Sequence, residues 1–426
     1  MSAVPPTSDG SLLRRAAGLV IVLGLLAGLG WLVANPLSEN PPVADSPADE
    51  RLPPAASEQT LPAGIPDADY REAAMTFFGL KGVRPEHADT LMTLGELARA
   101  EEQFQLAATA FLAIPSDHPA YGPSSRLQAG IALVSLDRAP QAEQALREFL
   151  ELSSDSPSTN AADIDLARDW LRFLYSVELR FEDRRQILRA IHEAGVASVA
   201  DSKEFFFPTL LICNSDRGRD RLRRFLAETP YDVRLRIADA RYHTAAGETA
   251  EARRRLEEVR DRDPSNLDCL AALLETAYEE GDDPAFEALV AAAPPVTATE
   301  PWLLTQFRGE FALQQQDWAG AAGHFSRLLA ADPAHMSATM GLARARSAQG
   351  DNAETERLQR QSLVLARIRP RLIAVTEENA DACDEIAADC AETGFDEAAE
   401  VFRQHAVRIR GGVVRGQMNS TEDDRP

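Results

Sequence analysis

Lysine is almost missing from this chain: Lys81 and Lys203 are the only two, so arginine carries nearly all the positive charge. Positive charge is itself in short supply, with 44 Lys and Arg against 67 Asp and Glu and a net charge of −23. A surface of that sign repels phosphates instead of displacing their counterions, which excludes nucleic acid as a partner. Cysteine is equally sparse. Cys213, Cys269, Cys383 and Cys390 are too few and too scattered for a disulfide framework. Cys383 and Cys390 stand seven apart on an expected helix, about 10 Å along its axis and beyond disulfide reach. They read as small buried side chains at helix contacts. Aromatic residues make up only 6% of the chain, and nothing between residues 67 and 410 alternates like a strand. Catalytic patterns are missing as well. His192-Glu193 is followed by Ala194, Gly195 and Val196, so the second histidine of a zinc helix is not there. No nucleophile elbow or phosphate loop occurs. The expectation is a non-enzymatic protein with no catalytic residues, metal or cofactor.

One long apolar run is present. Residues 16–34 are nineteen uncharged residues, ~28 Å as a helix and enough to span a hydrocarbon core. Arg14 and Arg15 precede the run, while Glu39, Asp45, Asp49 and Glu50 follow it. The positive-inside rule then puts residues 1–15 in the cytoplasm and the bulk of the chain outside a bacterial inner membrane. A cleaved signal peptide is the competing reading, but Leu32-Val33-Ala34 lacks the small-residue pattern of a cleavage site. Gly24 and Gly28 have the GxxxG spacing that lets two anchor helices self-associate. Residues 35–66 hold eight prolines and five acids against one arginine, a composition that stays extended and serves as a disordered spacer.

From residue 67 the chain repeats. Pro85 and Pro119 are 34 apart, as are Pro230 and Pro264, and Pro333 lies 69 beyond Pro264. Leu94, Gly95, Phe104, Ala107, Phe111, Ile114 and Pro119 mark one unit. Gly309, Ala312, Trp318, Ala321, Phe325, Leu328 and Pro333 mark another, and Ala240, Gly247, Ala252, Leu256, Val259 and Pro264 a third. Small residues let two antiparallel helices approach, a large side chain fills the gap between hairpins, and proline stops the second helix. These units resemble the tetratricopeptide repeat. The resemblance implies an all-α, right-handed α-solenoid of helix hairpins over residues 67–410, beginning with a half-repeat at 67–85. Departures from the pattern are an insertion at 196–204, a Pro208 expected inside a first helix, and a longer or kinked helix over 354–378. Residues 411–426 read as a flexible tail.

In such arrays the first helices line a concave groove. The phase set by Pro264 puts Arg234, Ile237 and Arg241 on that inner face, where two guanidinium groups could clamp a carboxylate or an acidic peptide. Pairing with the nearby acids Asp232 and Asp239 is the plainer reading. The same phase places Leu303, Gln306, Glu310 and Leu313 in the groove, a lining suited to a peptide or helix. Phe111, Trp318 and Phe325 fall in packing positions. The functional expectation is a membrane-tethered interaction scaffold for an unidentified protein or peptide, held to the lipid bilayer through residues 16–34. The alternative is an envelope-assembly, maturation or chaperone-like accessory factor.

Overall fold

Eighteen helices and no strand make up the described residues of the computed structural model, 88–154, 160–210 and 216–412. The chain divides into two units, residues 1–60 and 61–426, and every described residue belongs to the second. The expected anchor at 16–34, the segment 1–15, the spacer 35–66, the half-repeat 67–85, Cys213 and all but two residues of the tail lie outside the described residues. Among the described residues no helix is long and apolar enough to cross a membrane.

The N-terminal hairpins are α1 (Ala88–Ala100) with α2 (Phe104–Ala113) and α3 (Gly122–Ser135) with α4 (Ala139–Ser154). Then come α5 (Ala161–Val177), α6 (Phe181–Glu193), α7 (Val199–Phe206) and α8 (Asp216–Glu228). The regular C-terminal part runs through α9 (Val233–Ala245), α10 (Thr249–Arg262), α11 (Leu267–Glu280), α12 (Asp283–Ala291), α13 (Trp302–Gln314) and α14 (Trp318–Ala331). It closes with α15 (Met336–Ala348), α16 (Asn352–Ala374), α17 (Ala380–Thr393) and α18 (Asp396–Arg410). The expected long helix is α16, whose 23 residues carry Pro370 in the last turns.

Small residues sit where the packing demands them. A methyl group on Gly95 would meet the Phe111 ring at 2.4 Å, and one on Gly130 would meet Leu146 at 2.6 Å. Phe325 fills the gap between Gly309 of its own hairpin and Gly341 of the next, 2.7 and 2.5 Å from Cβ atoms built there. Each hairpin turn needs one residue in the left-handed region. Gly247 supplies it at φ 78°, but after α5 the position is Leu179 at φ 55°, a conformation costing a bulky residue about 1–2 kcal/mol. The first helices α9, α11, α13 and α15 pack side by side in one row. Cys383 and Cys390 share one buried core, and burial pushes their thiols up to about 11 and 12, which makes them inert.

The middle of the chain departs from the expected repeat. Pro208 is not inside a first helix: α7 ends at Phe206, before the proline can block a turn. Nor do α7 and α8 make the expected hairpin. Leu222, Phe225, Leu235, Ala238 and Tyr242 of α8 and α9 join the core of Leu133, Leu174 and Tyr175, so the stack passes from α3–α5 directly to α8–α9. Segment 181–210 is an excursion from that stack, docked on helices much later in the chain. Glu182 accepts from the Trp302 amide at 2.8 Å, and the Thr209 hydroxyl donates to Asp332 at 2.6 Å. Lys203 donates to the Val375 carbonyl at 3.2 Å, and Ser202 meets His405 at 2.8 Å. Val199, Phe207 and Leu210 are buried with Ala334, Val364, Leu372 and Phe402.

Candidate functional site: an arginine-lined cleft

Helix α4, the α5–α6 turn with the start of α6, and the start of α9 enclose an open cleft of about 870 Å³. Its floor is one carboxylate, Glu143, whose side chain is 5% exposed. Amphipathic α4 places Glu143 beside Ala142, at the edge of the apolar face. Arg180, the residue after the strained Leu179, grips Glu143 with two hydrogen bonds of 2.8 and 3.0 Å. Arg234 donates to it at 2.6 Å and the Tyr175 hydroxyl at 3.0 Å, while Arg147 lies 3.1 Å away. The Arg180 guanidinium also covers the Tyr175 ring at 4.5 Å, a cation–π contact made stronger by partial desolvation.

Burial works against the charged form of Glu143. Hydrogen bonding and charge from Arg180, then charge from Arg234 and Arg147, outweigh it and hold the carboxyl below its usual range. Beneath it, Glu178 goes the other way: burial pushes its carboxyl up to about 7 even though Arg180 opposes the shift. The rim is wetter. Arg147 and Arg234 are 47% and 41% exposed, leaving guanidinium edges available to a second anion.

Replacing Glu143 by glutamine is expected to destabilise the fold by about 1–2 kcal/mol. The figure is below that for a fully buried pair because two of the three arginines can rehydrate. Because its folded pKa is depressed, the stabilisation is complete above the unfolded carboxylate pKa and is lost as pH falls through the folded one. Urea unfolding at pH 7 and pH 3 measures both. A variant as stable as the parent at pH 7 would show that the carboxylate does not organise the cleft.

Of the seven residues expected in the groove, only Arg234 lines this cleft. Arg241 is half-buried, paired with Glu275 at 2.8 Å and donating to the Leu179 carbonyl at 3.3 Å. The nearby acids divide: Asp232 lies 3.7 Å from Arg234, whereas Asp239 pairs with Arg255. Ile237 and Leu313 are packed into separate cores at 7% and 4% exposure. Leu303 and Gln306 are half-buried, and Glu310 lies 3.9 Å from Arg344. Glu143, Arg147, Tyr175 and Arg180 are not among the expected residues. In sequence Glu143 and Arg147 look like an ordinary i,i+4 surface pair, and Arg234 meets Glu143 across 91 residues.

A second cavity, about 430 Å³, opens where the excursion meets α18, lined among others by Arg172, Asp201, Glu377, His405 and Arg408. The buried Ser202–His405 pair there lacks the arrangement of a nucleophile and base. Nδ1 of His405 faces the Arg408 guanidinium at 2.9 Å instead of an orienting carboxylate.

Residues 243–304, from the end of α9 to the start of α13, match the tetratricopeptide repeat family. No curated protein matches the chain. Among solved structures, a tetratricopeptide repeat protein from Parabacteroides merdae is 12% identical, with 61% of this chain and 98% of that one covered and a TM-score of 0.30. Yeast Tom70 is 12% identical over 81% of this chain and 98% of that chain, at a TM-score of 0.31. The TPR domain of P58(IPK) is 13% identical over 77% and 99%, at 0.27. At such identities and scores no partner or activity carries over from them.

Proposed function

We propose that this tetratricopeptide-type array is a non-enzymatic scaffold, tethered to the bacterial inner membrane by residues 16–34 and presenting its cleft on the extracytoplasmic side. The observation that carries the reading is the cleft rim. Arg147 and Arg234 flank a satisfied internal carboxylate and keep half-exposed guanidinium edges turned to a space large enough for a peptide segment. Glu143 below them is consumed in pairing with Arg180, Arg234 and Tyr175, an arrangement that fixes the geometry of the rim. The apolar run, its flanking arginines and the acidic proline-rich spacer support tethering.

A photo-crosslinker placed at Gln144, inside the cleft, tests this in intact membranes. The expected result is one discrete crosslinked partner that is absent when the crosslinker stands at Glu257, an exposed position on α10. Deletion of residues 16–34 is expected to release the protein from carbonate-washed membranes. Crosslinks that are identical from both positions would remove the cleft from the proposal, and membrane retention after the deletion would remove the tether.

A further inference from the structure

On the excursion helix α6, Arg185 and Arg189 stand one turn apart on the same face. Neither makes an ion pair or a hydrogen bond among the described residues, and the Arg185 Nε is buried without a partner. The setting is costly. The Arg185 guanidinium lies 5.2 Å from the Phe205 ring and 5.7 Å from the Trp302 ring. Burial lowers its affinity for a proton, Asp332 and Glu397 draw it back only through distant charge, and Arg189 adds repulsion. One further turn along, the His192 Nε2 is also buried and unpaired, with its ring 4.6 Å from Phe205 and 5.4 Å from Phe206. Arginines packed beside buried carboxylates are handled differently: Arg147, Arg180 and Arg234 share Glu143, and Arg367 and Arg371 share Asp389.

We infer that the Arg185–Arg189 face of α6 is a second recognition site, taking an acidic polypeptide segment with an adjacent aromatic side chain. With rings beside it on Phe205 and Trp302 and its Nε buried, the Arg185 guanidinium has its terminal Nη1–Nη2 edge left to offer, and a carboxylate meets that edge with two parallel hydrogen bonds. Arg189 supplies the second positive charge that an acidic run requires. Phe206 and Trp302, both only half-buried, supply apolar surface that a free inorganic anion could not use. The site lies 120 residues apart in sequence at its two sides, α6 and the start of α13, so a bound segment would clasp the excursion to the later hairpins. The inference rests on the scaffold reading only in taking the ligand to be a polypeptide.

Full-length protein in detergent micelles, titrated against the fluorescein-labelled peptide Glu-Glu-Glu-Glu-Phe and followed by anisotropy, tests it. Saturable binding is expected for the parent and unchanged binding for R99Q, an exposed arginine of α1 outside both sites. R185Q is expected to bind about tenfold more weakly, the loss of charge-assisted hydrogen bonds. The exposed R189Q, which cannot disturb packing, is expected to bind a few-fold more weakly. Overturning results are no saturable binding to the parent, R185Q and R189Q both binding like the parent, or inorganic phosphate displacing the peptide as well as unlabelled peptide does. Loss of this site with cleft crosslinking intact would leave the scaffold proposal standing.

Discussion

Truncation of Phe325 to alanine is expected to cost about 3–5 kcal/mol of stability, the largest single-residue effect in the array. The ring is fully buried and belongs to the core that joins α13 to α16. It touches the space above both Gly309 and Gly341, so it holds two successive hairpins at once. The two facing glycines have no side chain to fill the gap left behind. In a stack where stability is a sum of nearest-neighbour terms, the damage should stay local. Hydrogen exchange is therefore expected to rise across residues 302–348 and to remain unchanged across 88–154. Replacing Gly341 by alanine should be nearly as harmful in the parent, and less so when residue 325 is leucine. A uniform rise in exchange along the whole chain, or a loss below about 1 kcal/mol, would contradict the wedge role.

Acid is expected to loosen the seam between the excursion and α15–α18. His405 is buried against Ser202 of α7, Arg408 of its own helix, and the charges of His192 on α6 and Asp201 on α7. Asp169 and Arg172 of α5 and Glu377 of the α16–α17 turn line the adjoining cavity. Its bonds suit the neutral ring: Arg408 donates to Nδ1, and Nε2–H then points at the Ser202 oxygen, whose own hydrogen goes to the Ser198 carbonyl at 2.9 Å. That tautomer is assigned from the network. Burial, then Arg408 and His192, push the imidazole down to about 4. His335 is similarly held down by burial, and its Nδ1 caps α15 by accepting from the Ala338 amide at 3.2 Å. Protonation would convert both acceptors to donors.

The direction follows from linkage. A histidine whose folded pKa is depressed leaves stability intact above its unfolded value near 6.5, and stability falls as pH drops from there towards 4. The slope is at most about 1.4 kcal/mol per pH unit for each histidine, or about 2–3 kcal/mol in full for His405 after allowance for solvent near the cavity. Hydrogen exchange in residues 199–210 and 398–410, corrected for intrinsic rates, should accelerate between pH 7 and pH 5. His405→Gln should remove about half of that dependence. Equal protection at both pH values, or an unaltered slope in the variant, would show that the seam does not sense protons.

The two halves of the molecule were not equally legible. Gly309, Phe325, Pro264 and Pro333 could be read because each slot is defined by neighbours within one 34-residue unit. The segment matched by the repeat family, 243–304, falls in the same stretch. Arg234 could be found as a helix-face residue, but its carboxylate is 91 residues distant and carries no local mark. The excursion resisted reading for the same reason on a larger scale, since its docking partners lie 120 to 203 residues downstream. Pro208 misleads: the repeat phase puts it inside a first helix, whereas it follows the end of α7 at Phe206. Leu179 had no signal at all, because only the backbone shows that a leucine occupies the left-handed position that Gly247, Gly281, Gly350 and Gly394 fill in later turns.

The docking of the excursion also sets a timetable for biosynthesis. Phe207 emerges from the ribosome long before its cover exists, since Phe402, in the same buried core, follows it by 195 residues. At about 5–20 residues per second the interval is roughly 10–40 s. Over that time Val199, Phe207 and Leu210 wait while the later hairpins are still being made. The nascent chain is therefore most exposed to aggregation, and most dependent on chaperone cover, in the window between completion of α7 and completion of α18.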